Sequence, residues 1–391
     1  MKGNRRLVLI FSIISVFVFL FSQCADSVKK APVAENAVAG TKTCIQCHKN
    51  IYDSYLKNPH FSTTAPITAD SHISQGDKTS VYNYDEHLKV VVEKRDSGMY
   101  QVAYFDGQED LAIRLDLVFG SGEKAFTYAT WKGNYLYQLP LSFFKSQNSW
   151  ANSPGFSADR PNFGRLIESR CLECHSSFID HKVVKSGGLI VSDELVKSSL
   201  VYGINCERCH GPAGKHVEFH IENPKEKGAK FITLYKSLSR KQKVDACGIC
   251  HSGNDAELLK STFSFKPGDD INEYYGHFSE SFDESTLDVH GKQNQMLSGS
   301  KCFTKSESLD CTTCHSTHDQ NKGSLTLYSK KCMSCHSTIK HTEKTLANAM
   351  VKTNCIDCHM PLKPSKVISF QQAGQSNVSP YMLRSHRIAI Y

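Results

Sequence analysis

The chain has little of what an ordinary globular core is made from. Only 40% of its 391 residues are hydrophobic, cysteine included, and just two are tryptophan. From Leu166 onward apolar side chains are thin and strand-forming alternation is sparse, which excludes a conventional side-chain core for that length. No low-complexity tract and no nucleic-acid-binding pattern occurs, so no nucleic-acid partner is expected. Long hydrophobic runs are lacking too. Leu7 to Phe21 is too short and too abruptly ended to read as a membrane span.

What the chain has instead is cysteine with histidine: 16 Cys and 18 His. Fourteen of the cysteines fall into seven copies of Cys-x-x-Cys-His. These are Cys44, Cys47 and His48; Cys171, Cys174 and His175; Cys206, Cys209 and His210; Cys247, Cys250 and His251; Cys311, Cys314 and His315; Cys332, Cys335 and His336; and Cys355, Cys358 and His359. Random placement would give roughly 0.03 such pentapeptides. Two thiols at this spacing add across the two vinyl groups of one haem, and the adjacent imidazole then lies under the iron as proximal ligand. Half a zinc ribbon or a redox dithiol would also use Cys-x-x-Cys. Neither explains a histidine after every second cysteine. The motifs therefore predict seven covalently attached haems c.

Export fits this chemistry, because c-type haems are attached outside the cytoplasm. Residues 1–23 read as a signal peptide, with Lys2, Arg5 and Arg6 ahead of the apolar run. Cys24 directly after it is a candidate lipidation site of the bacterial lipoprotein kind, although Gln23 is larger than the residue usual there. Ordinary cleavage near Cys24 and an uncleaved anchor are the alternatives. Residues 24–43, small, polar and Pro-containing, suit a flexible tether to a membrane surface. The expected location is the periplasm or the outer-membrane surface, reached through an N-terminal lipid anchor.

The first motif opens a predicted helix, Ile45 to Asn58, closed by Pro59. Residues 44–61 form the first haem segment. Residues 62–165 carry no motif and read as a β-rich insert, with strands Val81–Glu93, Tyr100–Phe105, Ala112–Phe119, Ala125–Trp131 and Tyr135–Leu141 between Gly- and Asp-containing turns. The insert is either a cover over the haems or a surface for a partner. Residues 166–391 form a six-haem cytochrome domain, with short helices such as Ser239–Cys250, Tyr328–Cys335 and Glu343–Asn354. The expected fold is mainly α with long loops, organised around a covalent haem stack, with the small antiparallel β unit inserted. Buried porphyrins would supply the missing apolar faces, leaving the haem-free chain largely unfolded.

The haems also change the meaning of the formal charge of +7. Without the three basic residues of the signal about +4 remains, and seven haems with two propionates each bring the total to about −3 oxidised and about −10 reduced. The basic residues compensate propionates, and the isoelectric point carries no further inference.

Seven proximal histidines leave eleven others: His60, His72, His87, His181, His216, His220, His277, His290, His318, His341 and His386. They suffice for a second imidazole on every iron, an arrangement suited to low-potential electron transfer. Met296, Met350 and Met382 are weaker alternatives, since methionine is more often a core residue. Met360 follows its proximal histidine too closely to reach the opposite haem face. Cys302 lies outside every motif and reads as an unpaired or locally disulfide-bonded thiol.

Several stretches carry a family resemblance. They are Cys-His-Gly-Pro-Ala-Gly-Lys-His at 209–216, His290-Gly with Gln295-Met296, Cys-x-x-Cys-His-x-x-His at 311–318, Cys-His-Met-Pro at 358–361, and Arg384-Ser-His386-Arg-Ile. With the first motif, its tyrosine-containing helix and His60, the chain resembles bacterial multihaem cytochromes of the cytochrome c-554 type, distantly related to hydroxylamine oxidoreductase and the pentahaem nitrite reductase. The resemblance covers nearly the whole mature chain and is weakest in the β insert, where Phe119-Gly-Ser-Gly122 is the familiar stretch. It implies His60, His216, His290, His318, His341 and His386 as distal ligands, one short of seven. Either His181, His220, His277, His72 or His87 completes the set, or one iron is five-coordinate. The group usually has Asp-Pro where Ser316-Thr317 precedes His318 here. All seven motifs end in histidine, whereas that nitrite reductase has lysine in its catalytic motif.

Two functions follow as expectations. One is an electron relay through closely packed, mostly bis-His haems between a membrane quinol-linked donor and another redox protein, needing no catalytic side chains. The other is an oxidoreductase acting on a small nitrogen or sulfur compound at one five-coordinate haem. No residue spacing singles out a catalytic pocket, and the relay is the default for motifs of one kind.

Overall fold

The computed structural model describes residues 33–68, 80–186, 190–278, 283–287, 290–319, 323–338, 340–343, 349–371 and 378–391. The signal segment, Cys24 and His72 lie outside these. Among the described residues no helix is long and apolar enough to cross a membrane.

Residues 64–167 form two antiparallel sheets. One is a four-stranded meander, Val81–Asn83, Leu88–Arg95, Gly98–Phe105 and Gln108–Arg114. In the other, Thr64–Pro66, Leu117–Phe119, Ala125–Lys132, Tyr135–Phe144 and Arg165–Ile167 follow in spatial order, with Ser149–Asn152 paired to the end of Tyr135–Phe144. The inward side chains alternate as a two-sided sheet requires: Val90 and Val92 are buried between partly exposed neighbours. Both sheets contribute to one apolar cluster containing Tyr82, Val90, Val92, Met99, Leu115, Tyr128, Leu141 and Trp150. Trp150 sits at its centre, 5.3 Å from Tyr128 and edge-on to Phe143 at 5.6 Å between ring centres. The fully buried Gln101 spans the sheets, its amide donating to Leu141 O at 2.8 Å and accepting from Leu141 N at 3.0 Å. This stretch therefore has a conventional core, and a smaller one of Ile249, Phe265, Ile271, Tyr274 and Tyr275 lies in the motif-bearing region, against the expectation that none would form there.

The opposite face of the larger sheet packs on the second motif. Leu117, Phe119, Ala129, Leu136 and Ile167 meet Leu172 of the helix Ser169–His175, together with Ile179, Leu195 and Leu200. At the far edge the C-terminal hairpin, Leu362–Gln371 with Val378–Arg384, returns to the same unit. Its Phe370 stacks on Phe144 at 4.8 Å, and Gln371 N donates to Asn152 Oδ1 at 3.0 Å.

The expectation of a mainly α fold is overturned. Helix and strand each account for 29% of the chain, and several antiparallel sheets are present. Among the missed strands are two hairpins beyond residue 166, His181–Ser186 with Ile190–Leu195 and Leu362–Gln371 with Val378–Arg384. The first reads His-Lys-Val-Val-Lys-Ser, with Val183 exposed rather than buried, so it lacks an alternating apolar signature. In the second, Pro364 and Pro380 argue against strands. The structure takes them up beside a register shift between Pro364 and Ser369, where a missing N–H is tolerated.

Four of the motif helices are short and capped by a side chain. Asn205 accepts from Arg208 N, Asp310 from the amides of Thr312 and Thr313, and Ser324 from Leu327 N. Ser239 and Gln242 close a reciprocal capping box ahead of Arg240–His251. The helix Thr41–Tyr55 is longer than its motif and kinks at His48, whose backbone leaves helical geometry. Of the expected helix Glu343–Asn354, residues 349–352 form a tight 3₁₀ turn and 344–348 lie outside the described residues.

Candidate haem-attachment centres

Tertiary folding brings a second imidazole to face the histidine of five motifs and within electrostatic reach of that of a sixth. His48 faces His216 at 6.3 Å between ring centres with 19° between planes. His210 faces His318 at 6.0 Å and 11°. His251 faces His60 at 6.0 Å, His315 faces His386 at 5.8 Å, and His359 faces His341 at 6.1 Å. His175 is within electrostatic reach of His290, which together with burial, the larger cause, lowers it to about 4. Two metal–nitrogen bonds of about 2 Å, plus about 1.1 Å from each nitrogen to its ring centre, sum to about 6.2 Å. The five measured pairs fit an iron between them.

Hydrogen bonding fixes the tautomer of several rings. His216 Nδ1 donates to Lys230 O at 2.8 Å, His210 Nδ1 to Thr233 O at 3.1 Å and His359 Nδ1 to Ala389 O at 2.8 Å. A carbonyl only accepts, so Nδ1 carries the proton and Nε2 keeps its lone pair for a metal. Side-chain amides do the same for two others: His386 Nδ1 meets Gln293 Oε1 at 2.6 Å, and His60 Nδ1 meets Asn58 Oδ1 at 3.1 Å. Burial lowers His386 to about 4, with His315 a smaller cause, and also lowers His318, which in both favours the neutral ring.

His60 is positioned by close backbone packing. Ile204 N donates to His60 O at 2.9 Å, and the buried Tyr55 hydroxyl donates to Ile204 O. Gly203 lies against this segment with φ +62°, and a Cβ there would stand 2.0 Å from Phe61 O. The β unit reaches the second motif directly. Thr63 Oγ1 donates to His175 O at 2.9 Å, and Phe119 lies edge-on to the His175 ring at 5.9 Å.

The motifs touch one another in a definite order. The amides of Ala39 and Gly40, ahead of the first motif, donate to the carboxylate of Glu207 inside the third at 2.8 and 2.9 Å. Arg208 of the third donates to Glu173 O of the second at 2.9 Å. Cys250 of the fourth approaches the same carbonyl, Sγ to O 4.0 Å. Lys243, on the fourth motif's helix, pairs with Asp310 ahead of the fifth at 3.5 Å. The fifth motif's His315 packs on Tyr328 of the helix leading into the sixth at 5.3 Å, and Ser329 of that helix accepts from Cys355 N of the seventh at 2.9 Å. Before haem attachment, thiols of different motifs also interact. Cys44 lowers Cys206, Cys174 lowers Cys250 and Cys247 lowers Cys311, each by a side-chain hydrogen bond.

The donor set suits porphyrins rather than bare ions. Among the described residues no three His, Cys, Asp or Glu side chains converge to hold a metal ion, as a zinc ribbon would require. Arg170 Nη2, Arg208 Nε and His175 Nδ1 are buried without a hydrogen-bond partner among the described residues. Two guanidinium N–H groups left unmet beside haem motifs are matched to propionate carboxylates.

The remaining candidates go elsewhere. His87 is exposed, with Nδ1 2.5 Å from Asp106 on the β unit. His181 opens a hairpin strand opposite Leu195, and His277 is exposed. His220 rests on His216 at 4.7 Å between ring centres, its Nε2 buried without a partner among the described residues. Met296 is fully buried, whereas Met350 and Met382 are about half exposed. Cys302 is half-buried, and burial raises its thiol, with Cys335 nearby adding to the rise. Asn58, Gln293 and the carbonyls of Lys230, Thr233 and Ala389 were not foreseen. Asn58, two residues before His60, is the only one placed where a local signal exists.

Comparison with known proteins agrees with this chemistry. Residues 144–211 match the family model described as cytochrome c554 and c-prime, a stretch running from the end of the long strand through the second and third motifs. This supports a c-type cytochrome with covalently attached haem. A solved structure titled outer cell wall cytochrome OcwA aligns with 91% of this chain and 80% of its own, at 14% identity and a TM-score of 0.49. No curated protein matches.

Proposed function

We propose that this chain is an exported c-type cytochrome that carries seven haems and relays electrons between proteins. The observation that carries the reading is the set of imidazole pairs, each joining a motif histidine to a histidine from another part of the chain. Bound haem supplies a one-electron iron couple whose potential follows its axial ligands and surroundings. The side chains do the rest. His48, His175, His210, His251, His315 and His359 act as proximal ligands, facing His216, His290, His318, His60, His386 and His341. The Nδ1 hydrogen bonds hold the distal rings of His60, His216 and His386 and the motif rings of His210 and His359 in one orientation, which keeps reorganisation small when the charge changes.

Contacts between motifs support a path. The first leads to the third, the third to the second and the second to the fourth, and the fifth, sixth and seventh follow in order. Motif one stands at one end, nearest Cys24, and is the entry or exit point at the membrane side. A quinol-linked membrane donor and a second redox protein are the partners this arrangement suits, with the β unit covering the second motif.

The test is haem content and spin state. Mass spectrometry of the purified holoprotein should show the chain plus seven haems, and its oxidised spectrum should be dominated by low-spin iron. Fewer attached haems, or mostly high-spin iron, would refute the reading. A His48→Met variant should slow electron exchange with partner proteins more than it perturbs the other haems. Unchanged exchange would remove motif one from the terminal position.

A further inference from the structure

One short segment touches the rings of two different haem centres. Lys230 O accepts from His216 Nδ1 at 2.8 Å, and Thr233 O accepts from His210 Nδ1 at 3.1 Å. Thr233 N donates back to His210 O at 3.3 Å, and Tyr235 lies edge-on to the His210 ring at 5.9 Å. His216 faces His48 of the first motif, whereas His210 belongs to the third. The acceptors on His60, His359 and His386 come from separate places in the chain, and each serves one ring.

Between the two carbonyls the backbone takes a conformation that its sequence disfavours. Phe231 has φ +56°, in the left-handed region that bulky side chains rarely adopt. The residue is 60% exposed, so burial does not force it there. Its ring meets Phe219 at 5.5 Å, on the helix Gly214–Glu222 that carries His216. That helix is also tied to the third motif at its start. Ala213 N donates to Glu207 Oε1 at 2.9 Å, beside the amides of Ala39 and Gly40.

We propose that residues 230–233 form a single brace that sets the donor strength of His216 and His210 together, so that the potentials of the first and third haems move as a pair. This rests on the multihaem reading above and gives Phe231 a positioning role in the relay. A carbonyl on Nδ1 makes an imidazole a stronger donor and favours ferric iron. Because one segment supplies both carbonyls, a displacement of it shifts both couples in the same sense. The difference between them, which drives the step from one haem to the next, is protected.

The test is spectroelectrochemical titration of the holoprotein with Phe231 replaced in two ways. Phe231→Gly leaves the left-handed turn freely available, whereas Phe231→Val makes it an outlier. Both lose the contact with Phe219, so only the backbone separates them. In Phe231→Val two haems should rise in potential, each by about tenfold in ligand strength or about 60 mV for one electron. In Phe231→Gly neither should move. Adding Phe231→Val to a Cys44→Ala, Cys47→Ala chain, which lacks the first haem, should leave one haem moving. Hydrogen exchange in the unaltered, reduced holoprotein gives a reading that needs no variant: the Nδ1 protons of His210 and His216 should exchange at one common rate. The proposal is overturned by a shift confined to one haem, by no shift in Phe231→Val, by equal shifts in the glycine and valine variants, or by two clearly different exchange rates. Seven low-spin haems without the paired shift would leave the relay standing while removing the brace. A chain with fewer haems would refute the relay itself.

Discussion

Residues 64–167 and the motif-bearing remainder are built on opposite plans. The β unit buries Trp150, Tyr82, Tyr128 and three leucines against one another, and its order comes from side chains meeting side chains. In the remainder, helices of four to fifteen residues, from Cys311–Cys314 to Thr41–Tyr55, are marginal or too short to hold themselves in water. They are arranged in histidine pairs and inter-motif contacts that suit covalent haem. The difference teaches that one chain can keep a conventional core where it has to hold shape and delegate the rest to a prosthetic group.

The most forceful way to break the comparison is to withhold haem. In chain made without haem attachment, hydrogen exchange should find protected amides in residues 81–152 and nearly none in the motif segments. Equal protection in both would show that the polypeptide alone orders the motifs. Next in size is Trp150→Ala, which should destabilise the β unit by about 3–5 kcal/mol, the range for removing a buried aromatic side chain. Denaturation followed by circular dichroism should record that loss while haem content stays unchanged. A drop in haem content would mean that the two plans are interdependent.

A smaller, sharper probe lies inside the motif region. Gln293→Leu removes the acceptor on His386 Nδ1 and makes that imidazole a weaker donor. Loss of such a supporting bond is commonly worth about tenfold in ligand strength, or about 60 mV for a one-electron couple. Spectroelectrochemical titration should show one haem moving to higher potential, and the iron should stay low-spin. The smallest effect belongs to the β surface. The hydrogen bond to Asp106, ahead of its charge, raises the pKa of His87. The link is therefore complete below the ordinary histidine value and is lost as pH rises through the raised one. Nuclear magnetic resonance of the His87 ring should follow that titration. The melting temperature should stay level across it, because the pair is exposed.

Legibility in sequence followed the same divide. Strands of the β unit could be read because side chains such as Val90 and Val92 alternate with partly exposed residues between Gly- and Asp-rich turns. Their bounds were less legible: Val81–Glu93 proved to be two strands broken at residues 84–87, Ala112–Phe119 falls across two strands of different sheets, and Thr64–Pro66, Ser149–Asn152 and Arg165–Ile167 were not foreseen. The hairpins at 181–195 and 362–384 escaped notice because exposed valines and two prolines mask their pairing. The motif cysteines and histidines were plain from spacing alone, since local chemistry dictates it. The partner of each imidazole was not, because no local rule says that His60, twelve residues after His48, should face His251, or that His318 should face His210.

Sequence by itself determined the chemistry: seven Cys-x-x-Cys-His units, whose two thiols and imidazole lie within one turn of chain, where covalent geometry leaves little freedom. Tertiary structure decided the wiring. Which histidine crosses to which motif, which motifs lie side by side, and that Asn58 and Gln293 steady two of the rings all depend on segments up to hundreds of residues apart. Packing brings those segments together, and packing is a property of the whole fold that no short pattern encodes.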